Sequence, residues 1–267
     1  MIVTSMSGVE YPVSTYIYIY IECMEGMKQM PDGCVDLVVV DPPYGTTGAK
    51  WDIPLDMDHL FGEYRRVLSE RGTVVMFATE PFATRARQAG KDLYKYDLIW
   101  HKTGGTGFAH AKNMPLRNYE NIMVFSKGSV AHKGNSKRMT YNPQGLQKLG
   151  RPITHTPSSS GVLHPYIGSR KTTYQNYTNY PKMVLEGFKK DSRVHMSAKP
   201  ISLLEYLIRT YSNDGEVVMD NCAGSCSTGL AAFNTGRFFI GMENDKEIYA
   251  TGLERLKDHT ALWSNAE

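Results

Sequence analysis

Long apolar runs are missing from this chain of 267 residues, and none approaches the roughly 20 residues needed to cross a bilayer. Its first residues contain neither a basic leader nor the apolar stretch of a secretion signal, so a cytoplasmic protein without a membrane segment is expected. Cysteine is scarce. Cys23, Cys34, Cys222 and Cys226 form no C-x-x-C pair and meet no histidine at zinc-finger spacing, which argues against a disulfide framework and a metal site and for reduced thiols. The chain also lacks the biased composition of disordered, collagenous or coiled-coil proteins, with 41% hydrophobic and 21% charged residues. A net excess of one charge is nearly absent as well, since 30 Lys and Arg face 27 Asp and Glu.

That balance conceals a division. From His101 to His195 there are 15 Lys and Arg against three acidic residues, Glu120, Glu186 and Asp191, a net +12; the remainder carries 15 basic and 24 acidic residues, a net −9. A basic block of this size is a plausible footprint for a polyanion. The same stretch, from Gly104 onward, is rich in Gly, Asn, Ser, Thr and Tyr and has little periodicity beyond Asn121 to Phe125. Six of the eight histidines lie between His101 and His195, where hydrogen-bonding roles are expected rather than metal binding.

On either side of that block, strand and helix patterns alternate. Strands are expected from about Ser14 to Glu22, over Val35 to Val40, Thr73 to Ala78, Asp97 to Trp100, Glu216 to Asp220 and Phe238 to Glu243. Helices are expected over Asp58 to Ser69, from about Pro81, just after Pro200, after the turn at 221–229, and from Asp245 to Leu262. The run Val35-Asp36-Leu37-Val38-Val39-Val40 reads as a strand buried on both faces, and the alternation implies an α/β fold with a mostly parallel, twisted sheet.

Ligands of such sheets bind at the carboxyl ends of strands, and two strand ends carry chemistry. One is Asp220, followed by the small-residue turn Asn221-Cys222-Ala223-Gly224-Ser225-Cys226-Ser227-Thr228-Gly229, with Glu243 ending the next strand 19 residues beyond Gly224. A carboxylate at that offset can take both hydroxyls of a ribose, and the turn is not the G-x-G-x-x-G of a dinucleotide site, which leaves room for one adenosine group. The other is Asp41-Pro42-Pro43-Tyr44, directly after the most buried strand. A plain turn would account for Asp and the prolines but not for an aromatic held beside a carboxylate. The Asp41 carboxylate and the Pro42 carbonyl can accept both N–H bonds of a base's exocyclic amine, and Tyr44 can stack on the base.

Together, Asp41-Pro42-Pro43-Tyr44-Gly45 after an apolar strand and Asp220 to Ser225 downstream resemble the S-adenosylmethionine-dependent DNA amino-methyltransferases of the N6-adenine/N4-cytosine group, in the motif order of the beta class. The resemblance implies a Rossmann-like methyltransferase fold with permuted motif order, catalytic residues 1–103 and 196–267, and a DNA-contacting, target-recognition insert at 104–195. It implies catalytic roles for Asp41, Pro42, Pro43 and Tyr44, and a cofactor site drawn from Glu22, Cys23, Asp41, Lys199, Pro200, Asp220, Cys222, Gly224, Ser225, Thr228 and Glu243. His195, in the same motif as Lys199, is a further candidate. The implied partner is double-stranded DNA, and a homodimer is compatible with the resemblance, while a cognate nuclease and the recognition sequence are unreadable. Lys112, Arg117, Lys127, Lys133, Lys137, Arg138, Arg151, Arg170 and Lys171 are candidates for phosphate contact.

Adenine N6 is favoured over cytosine N4 by the Asp that heads the motif. A methyltransferase acting on RNA or a protein amide, and a DNA-binding homologue without catalysis, stay open. The main departure from the family is Cys226, which stands where glycine is usual; a side chain there is expected to obstruct the cofactor if the position needs a positive φ or close backbone approach.

Overall fold

The computed structural model describes residues 16–49, 52–130, 137–155, 172–189 and 198–264, with the side chains of 261–264 excepted. The first half runs β1 (Tyr16–Tyr20), α1 (Cys23–Lys28), β2 (Val35–Val40), α2 (Met57–Val67), β3 (Leu68–Ala78), α3 (Phe82–Ala89), β4 (Tyr94–Thr106) and β5 (Arg117–Ser126). There follow β6 (Gln147–His155), β7 (Thr173–Thr178), β8 (Val184–Leu185), α4 (Ile201–Tyr211), β9 (Val217–Asp220), α5 (Ser227–Asn234), β10 (Phe238–Glu243) and α6 (Lys246–Ser264). Among the described residues no helix is long and apolar enough to cross a membrane.

Eight strands form one sheet in the order β1-β10-β9-β2-β3-β5-β4-β8, parallel except for β5, which runs against both its neighbours. Alternate residues of β2 explain the layering. Leu37 and Val39 pack with Leu203, Leu207, Leu230 and Leu256 on the α4, α5 and α6 side. Val38 and Val40 pack with Met27, Leu60, Phe61 and Phe82 on the α1, α2 and α3 side. A strand apolar on both faces is what a sheet sandwiched between helices requires. From β2 the chain winds outward through β3, and from β9 it winds the other way through β10. The β2/β9 boundary is therefore the topological switch point, where open α/β sheets leave a crevice at the carboxyl ends.

The domain division differs from the one expected from sequence. β5 lies between β3 and β4 inside the main sheet, so residues 104–195 are not one insert. The chain separates into Met1–Asn142 with Met183–Glu267, and a small unit, Pro143–Lys182. Within that unit, β6 and β7 pair antiparallel from Gln147↔Thr178 to His155↔Thr173, and its sequence has five Lys and Arg and no acidic residue. The reason for the difference is local: an apolar run such as Ile122-Met123-Val124-Phe125 marks a buried strand but carries no information on direction or neighbours.

Candidate active site

Asp41 and Asp220 stand at the carboxyl ends of β2 and β9, the two strands flanking the switch point, and Glu22 and Glu243 follow the same pattern on β1 and β10. Four carboxylates thus gather on one edge of the sheet. Asp220 is buried, and it accepts from the Thr228 hydroxyl at 2.6 Å and the Cys222 amide at 3.0 Å. Burial, with Asp41 and Glu243 nearby, outweighs those bonds and pushes its carboxyl up to about 7. Among the described residues no Lys or Arg is ion-paired with it.

The turn after β9 is held from several sides. Tyr18 donates to the Gly224 carbonyl at 2.7 Å, Tyr64 donates to Asn221 Oδ1 at 2.8 Å, the Ala223 amide bonds Met242 O, and Arg255 bonds the Ser225 carbonyl. Gly224 has φ +52°, and a Cβ built on it meets nothing within 4 Å, so the space over the loop is open. Cys226 does have the positive φ that its place in the loop suggested, at 61°, but the expected obstruction does not follow. Its side chain is fully buried in the core, with the thiol lying over Gly229, where an added Cβ would come within 2.5 Å of it.

Glu243 is partly occupied within the chain. Its Oε2 accepts from the Gly224 amide, while Oε1 accepts from both Asn244 N and Asp245 N. A carboxylate has about four acceptor sites, so Oε1 is filled by these two amides and Oε2 keeps capacity for a further donor. Glu22 is similarly occupied. It caps α1 by accepting from Met24 N and Glu25 N on Oε2, and it takes the Cys23 thiol on Oε1 at 3.2 Å. Burial alone would raise its carboxyl; the Met24 amide, the Cys23 thiol and the Glu25 amide hold it below the usual range.

At Asp41 both oxygens are engaged. Tyr44 donates to Oδ1 at 2.6 Å and Lys199 to Oδ2 at 2.5 Å. Lys199 also lies 3.2 Å from Glu120 Oε2 and 4.8 Å from the Phe77 ring, and Glu120 is paired on its other oxygen with Lys102. Burial would strip the proton from Lys199, but Asp41 and Glu120 more than offset it and hold the ammonium above the usual lysine range. Burial likewise opposes ionisation of Glu120, and Lys199 and Lys102 hold its carboxyl below the usual range. The Tyr44 ring packs against Phe82 at 5.0 Å, and Arg85 donates to the Tyr44 carbonyl. Asp52 fixes the following turn by accepting from the amides of Gly45, Thr46 and Thr47.

Glu120 and Asp52 were not foreseen. Glu120 did carry a signal: it is the one acidic residue between His101 and Glu186. Of the expected phosphate contacts, Lys112 and Arg117 are exposed on the β4–β5 hairpin, on the Asp41 edge. Lys127, Lys137 and Arg138 follow the other end of β5, which pairs Ser126 with Thr73 at the start of β3's regular register, so they sit at the opposite edge of the sheet. There Lys127 donates to the Arg65 and Leu68 carbonyls and Lys137 pairs with Glu70. The antiparallel course of β5 is what carries them away. Arg151 is exposed on β6 in the small unit, whereas Lys133, Arg170, Lys171 and His195 lie outside the described residues. Pro200 opens α4, its carbonyl accepting from Leu203 and Leu204. No group of His, Cys, Asp or Glu among the described residues is arranged to hold a metal.

A doubly wound sheet with carboxylates at its switch point and Asp-Pro-Pro-Tyr beside them is the architecture of Rossmann-like methyltransferases. Its fold matches M1.HpyAVI in complex with S-adenosylmethionine (TM-score 0.56, 18% identity, 90% of this chain and 99% of that one). It also matches the cytosine-N4-specific PvuII DNA methyltransferase (TM-score 0.58, 15% identity, 95% of each chain). The DNA methylase family matches residues 35–254, and the chain belongs to it, an S-adenosylmethionine-dependent DNA amino-methyltransferase of the N6/N4 group. In sequence it is similar to the DNA adenine methyltransferase YhdJ of Escherichia coli K12, with 28% identity over 254 residues, 88% of this chain and 80% of that protein.

Proposed function

We propose that this protein methylates the N6 amine of adenine in duplex DNA, on a base flipped out of the helix, with Asp41, Pro42, Pro43 and Tyr44 as the catalytic motif. The observation that carries the reading is the Asp41 carboxylate, oriented by Tyr44 and Lys199 beside the carboxylate-lined crevice. Similarity to an adenine methyltransferase favours N6.

The crevice suits the cofactor. An excess of carboxylates, with Asp220 pushed up to about 7 by burial and by the nearby Asp41 and Glu243, complements a ligand that carries a sulfonium and an ammonium. Asp220, Cys222, Gly224, Ser225 and Thr228 would form the loop around its methionine part, Glu243 Oε2 would take a ribose hydroxyl, and Glu22 and Cys23 would lie near its adenine. Bound there, S-adenosylmethionine supplies an electrophilic methyl group.

The rest falls to the chain's own residues. An exocyclic amine is a poor nucleophile because its lone pair is delocalised into the ring. Asp41 and the Pro42 carbonyl would accept hydrogen bonds from its two N–H groups and draw the nitrogen toward tetrahedral geometry, which frees the lone pair for attack. With the cofactor bound, the amine would take its methyl group with the sulfonium sulfur as leaving group, and Asp41 would accept the surplus proton along its hydrogen bond to the amine. Lys199 stays charged beside Asp41, and Glu120 positions Lys199. Catalysis is therefore positioning and electrostatic pre-organisation. Lys112 and Arg117 contact phosphates on this edge, and Arg151 does so from the small basic unit.

The test is incubation of duplex DNA with methyl-labelled cofactor, followed by hydrolysis to nucleosides. Label in N6-methyladenine is expected; label in N4-methylcytosine overturns the adenine assignment, and label entering RNA in preference to DNA overturns the substrate class.

A further inference from the structure

We infer that the β4–β5 hairpin is an apolar wedge that enters duplex DNA beside the target base, with Phe108 at its point. The inference rests on the DNA-methylating reading above. Placement comes from the sheet register: β4 runs parallel to β3 and β2, so its carboxyl end continues past the edge where Asp41 stands. Pairing of β4 with β5 runs through Trp100↔Glu120 and His101↔Tyr119, breaks where the register shifts after His101, and is regained at Thr106↔Arg117, about 10 Å along β5 from Glu120. Side chains tie the root of the hairpin to the site, since Lys102 pairs with Glu120, Glu120 with Lys199, and Lys199 with Asp41.

The tip is unusual for a surface. Phe108 is 82% exposed, and Met114 and Leu116, in the same turn between β4 and β5, are 54% and 40% exposed. Their surroundings select the occupant. From Lys102 to Tyr119 the chain holds Lys102, Lys112 and Arg117 and no acidic residue. Apolar side chains on a basic support match stacked bases between phosphate backbones, where wedges of Phe, Leu or Met unstack a step. The backbone is also braced: Gly105 lies so close to the other arm that a Cβ there would be 2.7 Å from Leu116 Cβ, and Gly107 turns the chain at φ +88°. A braced wedge favours the extrahelical state by occupying the space a flipped base vacates.

The experiment uses the full chain, labelled S-adenosylmethionine, and two oligonucleotide duplexes that contain the site mapped on methylated plasmid DNA. In one the target base is paired normally, and in the other it faces an abasic position, which makes flipping cheap. Phe108→Ala is expected to slow transfer to the paired duplex by about 10-fold or more and to the abasic duplex by less than about 3-fold, with Phe108→Trp near wild type on both. Equal losses on both duplexes, or no loss on the paired one, overturn the wedge. So does a shift from dimer to monomer in Phe108→Ala with unchanged transfer, which gives the patch to a second copy of the chain. A wild-type protein that methylates no DNA instead overturns the reading beneath it.

Discussion

Protons on Asp220 give the proposed cofactor site a pH signature. In the unfolded chain this carboxyl titrates near its ordinary 3.8, and in the folded protein it titrates at about 7. Between those values the native state holds the extra proton, so stability of the free protein declines as pH rises across this window, and the penalty is complete above about pH 7. Three pH units correspond to at most about 4 kcal/mol. A cationic ligand beside Asp220 offsets the effect of burial and of the neighbouring carboxylates and lets the group ionise, so binding releases about one proton near pH 6. With the carboxyl returned to its ordinary range in the complex, affinity for S-adenosylmethionine should fall by about 30-fold between about pH 8 and about pH 5.5. Calorimetry in buffers of different ionisation enthalpy measures both the affinity and the proton count. Asp220→Asn should abolish the released proton and most of the slope, leaving whatever titration belongs to the ligand itself. An identical pH profile in wild type and Asp220→Asn would refute the reasoning.

Three further outcomes follow from particular contacts. Glu120→Gln should leave Lys102 and Lys199 close together with less compensating charge, lowering stability by about 3 kcal/mol and methyl transfer by at least about 10-fold; an unchanged thermal midpoint would contradict the network. Gly229→Ala places a methyl against the Cys226 thiol and Phe239 and should cost about 1–3 kcal/mol in chemical denaturation, whereas an unaffected midpoint would mean the thiol does not lie over the glycine. DNA affinity should fall with salt while cofactor affinity changes little, and Lys112→Ala should reduce the salt slope by about 0.9 where Lys137→Ala, at the opposite edge and paired with Glu70, should not; equal effects of the two substitutions would contradict this polarity.

Much of this was legible in local pattern. Val35 to Val40 forms β2 with the expected bounds, and α4 begins directly after Pro200, because apolar runs and proline act within a few residues of themselves. Asp41 and Asp220 were found by their place after strands, which the switch-point geometry then joined. What pattern could not convey was relation across the chain. β5 reads as a buried strand, but its reversed direction, which sends Lys137 to one edge and Arg117 to the other, is a property of the assembled sheet. The Lys199–Asp41 contact spans 158 residues, and Glu120 acquires its meaning only when both lysines arrive beside it. The saturation of Glu243 Oε1 depends on two backbone amides that no spacing rule reports.

The account turns on Asp41 as the acceptor that prepares an amine for attack while the cofactor is held elsewhere. The most direct test measures, for Asp41→Ala and wild type side by side, transfer of labelled methyl to native duplex DNA and the dissociation constant for S-adenosylmethionine. Transfer should fall by at least about 1,000-fold while cofactor affinity stays within about 3-fold of wild type. Near-normal turnover in Asp41→Ala would contradict the account, as would a loss of transfer explained entirely by lost cofactor binding.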